Sequence, residues 1–410
     1  MKVQRVEKQV IKHTNKYFPM LDYFCFLSKN LYNHANYIVR QSFIKNHKWI
    51  RYGKLDKQLK ADKNYPDYAV MPTAQAAQQT LRLLDKNWKS FFESMKDWSK
   101  NKDKYLGKPK LPKYTNKNGR KLLIITNQNC KLKDGIIRFP KSFNGFECNF
   151  YGYNRPDFVK LNQVRFLPHR NCIVMEIVYE VEIEDTVKQN QNYISLDMGV
   201  DNLATVTNNF GKQPFIINGR QLKSVNQYYN KQVSKYRSIA KRMNGVDYTK
   251  RMNNLTEKRN RKIEDYLHKA SREIIKYCKK YNVSKIIIGN NKGWKQNSQL
   301  SKKVNQHFIQ IPYNRLIQML KYKAQEIGVT VIITEESYTS GTSFVDNEMP
   351  VEENYNKSRR IKRGLFKTSD GSVINADVNG SYQIMKKVIP NEEILWNRGC
   401  AYQPFRVAIA

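Results

Sequence analysis

After a polar run, DTVKQNQN, this chain settles into a succession of elements that leaves few folds open. YISLDMGVDNLATVTNN reads as a strand hairpin and PFIINGR as a third strand. Long basic helices follow over roughly 221–280, then a strand KIIIGN, a helix IPYNRLIQMLKYKAQEIG, a strand VTVIITEES and a last helix from Asp377 to Lys387, stopped before Pro390. Alternating apolar residues mark the strands, and apolar residues at three and four spacing mark the helices. The order is therefore β-β-β-α-β-α-β-α. Three strands joined by short turns must form an antiparallel meander, and the later βα units then add their strands to the same sheet.

That order is the RNase H-like succession. Upstream of it, MKVQRVEKQVIKHT reads as a strand, and helical spacing runs from Leu21 to Gln41. Met71-Pro72-Thr73 starts a long amphipathic helix, because a threonine hydroxyl caps free amides and the apolar stripe Ala77, Leu81, Leu84, Trp88, Phe91 and Met95 follows. Gly107, Pro109 and Pro112 break the periodicity into a charged, extended crossover. From Lys121 to Glu184 short alternating runs separated by Gly, Asn and Pro predict a small β-barrel or sandwich. The expectation is a multi-domain α/β protein with its second domain starting near Asn190.

Charge narrows the function. Lys and Arg number 73 against 35 Asp and Glu, a net charge of +38 over 410 residues. Such an excess repels itself in a folded state unless a polyanion neutralises part of it, so nucleic acid is the expected partner. There is no run of about 18 apolar residues and no signal pattern, so no membrane role is expected and the chain should be soluble and intracellular. The six cysteines, Cys25, Cys130, Cys148, Cys172, Cys278 and Cys400, are scattered singly, as in a reducing cytosol.

Cutting a phosphodiester with two metal ions requires carboxylates that converge, so that the ions lie about 3.5 to 4 Å apart. Asp197 closes the first strand of the second domain, and Asp377 lies in the first turn of the last helix. Each has an ordinary alternative. Asp before a glycine turn is turn chemistry, and Asp at a helix start answers the dipole. As a pair they mean more, because the last helix packs across the sheet and brings its N-terminus to the end of the first strand, with Gly380 easing the approach.

ISLDMGVDNLATV, NKGWKQ, SYTS and NADVNGSY resemble the RuvC motifs of TnpB (OrfB) proteins of insertion sequences, relatives of the type V CRISPR effectors. SKNLYNHANYIVRQ, QQTLRLLDKNWKSFF, YLGKPKLPKY and LHKASREII resemble further segments of that family, so the likeness covers nearly the whole chain. The resemblance implies an RNA-guided DNA endonuclease that uses a guide RNA from the element's own end and double-stranded target DNA with a short adjacent motif. It implies two Mg²⁺ ions, with Mn²⁺ as a substitute, and a prokaryotic, nucleoid-associated cytoplasmic setting. In family terms, residues 1–15 and 106–190 are a wedge-like β-barrel domain, 16–105 a helical recognition insertion, 191–338 and 373–410 a RuvC-like nuclease domain, and 339–372 a basic insertion.

Two departures stand out. The family carries a Glu at the end of the fourth strand, where this chain has Gly289. The next strand ends with Glu335 and Glu336, and strands lie about 4.8 Å apart, so a Glu side chain can reach across one strand to the vacated place. Successive residues face opposite ways, so one of the two glutamates reaches and the other is solvated. Glu336 is favoured, against the alternative that both are surface acids. The second departure concerns zinc, since residues 340–374 hold no Cys where many relatives have a four-Cys ribbon, and none is expected to bind.

In the ribbon's place KSRRIKRGLFK supplies Lys357, Arg359, Arg360, Lys362 and Arg363, either as a solvated loop or, as the net charge favours, as a nucleic-acid contact. Gln75, Gln78 and Gln79, with Tyr52 nearby, offer amides of the kind that pair with adenine edges, or are simply good helix formers on a wet face. His268 is structural or guide-binding, Trp88 belongs to an apolar stripe, and Trp294 stays open. Three functions compete: the RNA-guided nuclease, an RNA-guided binder that no longer cuts because of Gly289, and a DNA-joining transposase.

Overall fold

The computed structural model describes residues 1–184, 186–291, 306, 309–362, 364–397, 399 and 403–409. Arg363, Trp294 and Cys400 lie outside them. The chain divides into two compact units, Met1–Ile183 and Glu184–Ala410.

In the first unit, strand β1 (Lys2–Lys12) leads into helices α1 (Phe18–Asn46), α2 (Tyr52–Ala61) and α3 (Ala74–Lys100). Short strands β2 (Leu123–Thr126), β3 (Lys131–Lys133), β4 (Ile136–Arg138) and β5 (Glu147–Asn149) precede a long hairpin, β6 (Phe158–Pro168) and β7 (Cys172–Glu182). Thr73 caps α3 by accepting from the Ala76 N–H at 3.0 Å. Ala77, Leu81, Leu84 and Trp88 of its stripe are buried, whereas Phe91 and Met95 stay half-buried. The extended crossover is strapped to α1, where Asn33 exchanges two hydrogen bonds with the backbone of Thr115 and Asn36 donates to the Pro112 carbonyl.

The strands of this unit form two open sheets, β1-β7-β6-β2 and β3-β4-β5, so of the barrel or sandwich expected from the sequence the closed barrel does not form. The reason lies in the edges. β1 pairs along its whole length with β7 only, and it sets Lys2, Arg5, Lys8 and Lys12 along a strand whose other edge has no partner in the sheet. Charged side chains on an edge strand oppose further pairing. Helices and strands of this unit share one core, from Leu31 and Trp88 to Val164, Phe166 and Ile177. The helical segment is thus built onto the sheet.

The second unit centres on a six-stranded sheet. Its strands are β8 (Tyr193–Asp197), β9 (Asn202–Asn208), β10 (Phe215–Asn218), β11 (Lys285–Gly289), β12 (Thr330–Thr334) and β15 (Phe405–Val407). Between them lie helices α4 (Arg220–Asn244), α5 (Lys250–Lys280) and α6 (Tyr313–Gln325), a small hairpin of β13 (Leu365–Lys367) and β14 (Val373–Asn375), and α7 (Ala376–Val388). The spatial order is β12-β11-β8-β9-β10-β15. β8, β9 and β10 are an antiparallel meander, whereas β11 runs parallel to β8, β12 to β11 and β15 to β10.

Strand alternation divides the side chains between two faces. Ile194, Leu196, Ile286 and Ile288 pack with Leu267, Ile274, Leu316 and Leu320 of α5 and α6. Tyr193 and Ile287 face the other way and meet Ile384 and Met385 of α7. The central strands are buried on both faces, which is why they read as nearly continuous apolar runs. The expected basic helical region is a pair, broken where Gly245 takes a left-handed φ of 63° and ends α4. No described helix is long and apolar enough to cross a membrane.

Candidate active site

Asp197 ends β8 on the face that receives α7, and Asp377 is the second residue of α7. Asn375 caps that helix by accepting from the N–H groups of Asp377 and Val378 at 3.0 and 3.1 Å, which fixes where the helix begins. One turn on, a β-carbon at Gly380 would lie 2.9 Å from Asp197 Oδ2, so the helix can close on the carboxylate only because residue 380 has none.

The third acid comes from beyond β12. A β-carbon at Gly289 would stand 2.6 Å from Glu336 Cγ and 2.7 Å from Glu336 Oε1. The Glu336 side chain therefore fills the space that a side chain at the end of β11 would occupy, one strand from its own. Its backbone N–H is anchored to Asn291 Oδ1 at 2.8 Å. Glu335 is exposed. Asp197, Glu336 and Asp377 line one cleft of about 880 Å³ together with Asn202, Arg220, Arg360, Lys362 and Arg406.

The electrostatics of the cleft are strained. Burial, then the charges of Glu336 and Asp377, push the Asp197 carboxyl well above the usual carboxylate range, with Arg360 pulling the other way. Burial raises Glu336 from 4.5 to about 7. Its buried Oε1 has no hydrogen-bond partner among the described residues. Asp377 is better served, accepting from Asn202 Nδ2 at 2.6 Å and lying 3.6 Å from the Arg360 guanidinium. Arg406 in turn donates to Asn202 Oδ1 at 3.2 Å.

The acids share the cleft without closing on one another, and among the described residues no three His, Cys, Asp or Glu side chains gather as they would around a bound ion. Burial, and at Asp197 the neighbouring like charges, disfavour ionisation of these acids. A divalent cation would reverse both effects. Three carboxylates, one with an unsatisfied buried oxygen, are the hard oxygen donors that Mg²⁺ or Mn²⁺ takes.

The remaining sequence candidates fall into two groups. Arg360 and Lys362 line the cleft, Lys357 is exposed, and Arg359 is bound internally to Asp346 at 2.9 Å and Glu348 at 2.7 Å. In the first unit, Tyr52 lies under the Arg82 guanidinium at 4.3 Å, Gln75 donates its amide to Gln128, Gln78 hydrogen-bonds Tyr68, and Gln79 is half-buried. His268 pairs with Glu264 at 3.7 Å on the surface of α5. Trp88 is core, its ring N–H donating to Asn36 at 3.1 Å. The sequence reading missed Asn202, Arg220 and Arg406. Asn202 carried a signal, since it opens the strand that returns beside Asp197; Arg406 carried none, because it reaches the cleft on a three-residue strand, β15, at the edge of the sheet.

Residues 176–295 match the family model OrfB_IS605, described as a probable transposase, and residues 313–384 match the Cas12f1-like, TNB domain. The first window holds Asp197 and Gly289, the second Glu336 and Asp377. A TnpB-like protein, ORF457 of Acidianus two-tailed virus, is 25% identical over 398 residues, covering 88% of this chain and 82% of that one. Two solved structures align along the chain, each at 14% identity and a TM-score of 0.37: a Cas12f1-sgRNA-target DNA complex, covering 93% of this chain and 98% of that one, and a CRISPR-Cas12f ternary complex, covering 89% and 81%.

Proposed function

We propose that this chain, which belongs to the TnpB family, is an RNA-guided DNA endonuclease with a rearranged RuvC-like site in which Glu336 replaces the carboxylate absent at Gly289. The observation that carries the reading is the shared cleft of Asp197, Glu336 and Asp377, with Glu336 lying over Gly289. These three acids would hold two Mg²⁺ ions, which supply charge stabilisation for the attacking and leaving oxygens of phosphodiester hydrolysis. The chain's own part is placement. Asn202 orients Asp377, Arg406 steadies Asn202, and Arg220, Arg360 and Lys362 offer cations along the cleft to a phosphodiester backbone.

In the same reading the sheet of the second unit is the RNase H-like nuclease core, with 339–372 as its basic insertion. The long sheet of the first unit is the wedge-like part, and its helices are the recognition insertion. The net charge of +38 supports a guide RNA and a target DNA as partners, held by backbone contacts while base pairing reads the sequence.

The test is to purify the chain with its native transcript, sequence the retained RNA and challenge the complex with matched DNA in Mg²⁺. Asp197→Ala and Glu336→Ala should abolish cutting and leave guided binding, and Glu335→Ala should cut normally. Cutting that survives Asp197→Ala sinks the reading; protein that arrives without RNA and joins DNA strands supports a transposase. One observation favours a second reading, a guided binder that does not cut: Asp377 is already engaged by Asn202 and Arg360. Tight binding of matched DNA with no cutting in Mg²⁺ or Mn²⁺ would establish it.

A further inference from the structure

Three hydroxyl residues lie beneath the acids in the layer where apolar packing is the rule. Ser195 on β8, Thr207 on β9 and Ser381 on α7 are each 0% exposed. Ser195 and Thr207 are directly paired across the strands, as are Asp197 and Thr205. Ser195 precedes Asp197 by two residues and so faces the same side of the sheet. Ser381 follows Asp377 by four and lies on the same face of its helix.

The contacts among the three are dense. Ser195 Oγ lies 2.7 Å from Thr207 Oγ1 and 3.0 Å from Ser381 Oγ, and Thr207 Oγ1 lies 2.9 Å from Ser381 Oγ. Ser195 Oγ also reaches the Ser381 carbonyl at 2.6 Å, while Ser381 Oγ reaches the carbonyls of Ser195 at 3.0 Å and Thr205 at 3.2 Å. Three hydroxyl protons thus have acceptors on both strands and on the helix, so no member is left unsatisfied.

The energetic logic separates this cluster from packing. Apolar contacts such as Ile384 against Tyr193 and Ile287 are non-directional and tolerate sliding. A slip of one residue along α7 moves it about 1.5 Å and turns it about 100°, which would carry Asp377 away from Asp197. Directional bonds forbid that slip. Buried hydroxyls cost desolvation that an apolar trio of the same size would not, so the cluster is a poor choice for stability alone.

We propose that Ser195, Thr207 and Ser381 are positioning residues that set the register of α7 on β8 and β9, and thereby hold Asp197 and Asp377 within reach of the same metal ions; this rests on the reading of the cleft as a metal site. Thr207 separates hydrogen bonding from packing, because valine keeps its shape and serine keeps its hydroxyl. Calorimetric titration of the full chain with Mn²⁺ provides the readout, with circular dichroism to establish that each variant is folded.

Thr207→Val and Ser381→Ala should each weaken Mn²⁺ binding roughly tenfold or more, while Thr207→Ser stays within about twofold of wild type. Ile274→Val, a cavity-forming change on the opposite face of the sheet, should leave binding unchanged at temperatures where it is folded. The proposal is overturned if Thr207→Val binds as wild type does, if Thr207→Ser loses as much as valine, or if Ile274→Val weakens binding equally. A wild-type chain that binds no Mn²⁺ overturns the metal-site reading and the positioning role together, whereas the variant outcomes overturn the positioning role alone.

Discussion

Gly289 and Glu336 form one steric unit, and their substitution should show it. A β-carbon at 289 would meet Glu336 Cγ and Ile384 Cδ1, both at 2.6 Å, so Gly289→Ala should displace the glutamate, cost about 1 to 3 kcal/mol in chemical denaturation and sharply slow cutting. Gly289→Glu should be worse alone than combined with Glu336→Gly, a non-additivity that cleavage rates of the two single variants and the double variant would measure. The raised pKa of Glu336 makes a second prediction. Its folded value of about 7 lies above the ordinary 4.5, so the native state holds the proton more tightly than the unfolded chain does. Stability from this group is therefore present at low pH and is lost as pH rises from about 4.5 to 7. In EDTA the melting temperature should fall between pH 5 and pH 8, less so in Glu336→Gln, and Mg²⁺ should restore it at the higher pH.

At the scale of elements, much was legible because local chemistry decided it. Thr73 and the stripe behind it announced α3, and Thr73→Ala should lower the stability of the first unit by about 1 kcal/mol in a denaturant titration. The six-stranded sheet was readable up to β12 because its strands are long enough to show alternation. β15 was not, since three residues, Phe405–Val407, carry no periodicity, and Arg406 was lost with it. The closed barrel failed for a related reason: alternation tells which face of a strand is buried and says nothing of whether two edge strands meet. Glu336 was reachable from strand spacing, but its burial and its unpaired oxygen depend on Gly289 and Ile384, which only the packed sheet brings together. Arg359 was read as a nucleic-acid contact from its neighbours in sequence, whereas its partners Asp346 and Glu348 are held near it by the fold of the insertion.

For the whole molecule the charge of +38 is the governing quantity. Counterions released from a nucleic-acid backbone make binding strongly salt-dependent, so affinity for RNA of unrelated sequence should fall by roughly 10³ to 10⁵ between 50 and 200 mM salt if six to ten phosphates are neutralised. A filter-binding series checks this, and a flat salt response would rule out backbone contact as the main source of affinity. Within that field the cleft brings both signs together, with Asp197, Asp201, Glu336 and Asp377 beside Arg220, Arg360, Lys362 and Arg406. The relation between Gly289 and Glu336 is a contest for one space: a side chain rooted at the end of β11 and the carboxylate arriving from beyond β12 would overlap unless one of them shifts. Moving the donor from one strand to the other passes through a form with none or a form with a collision, so the effects of changes at the two positions, 47 residues apart in sequence, are coupled.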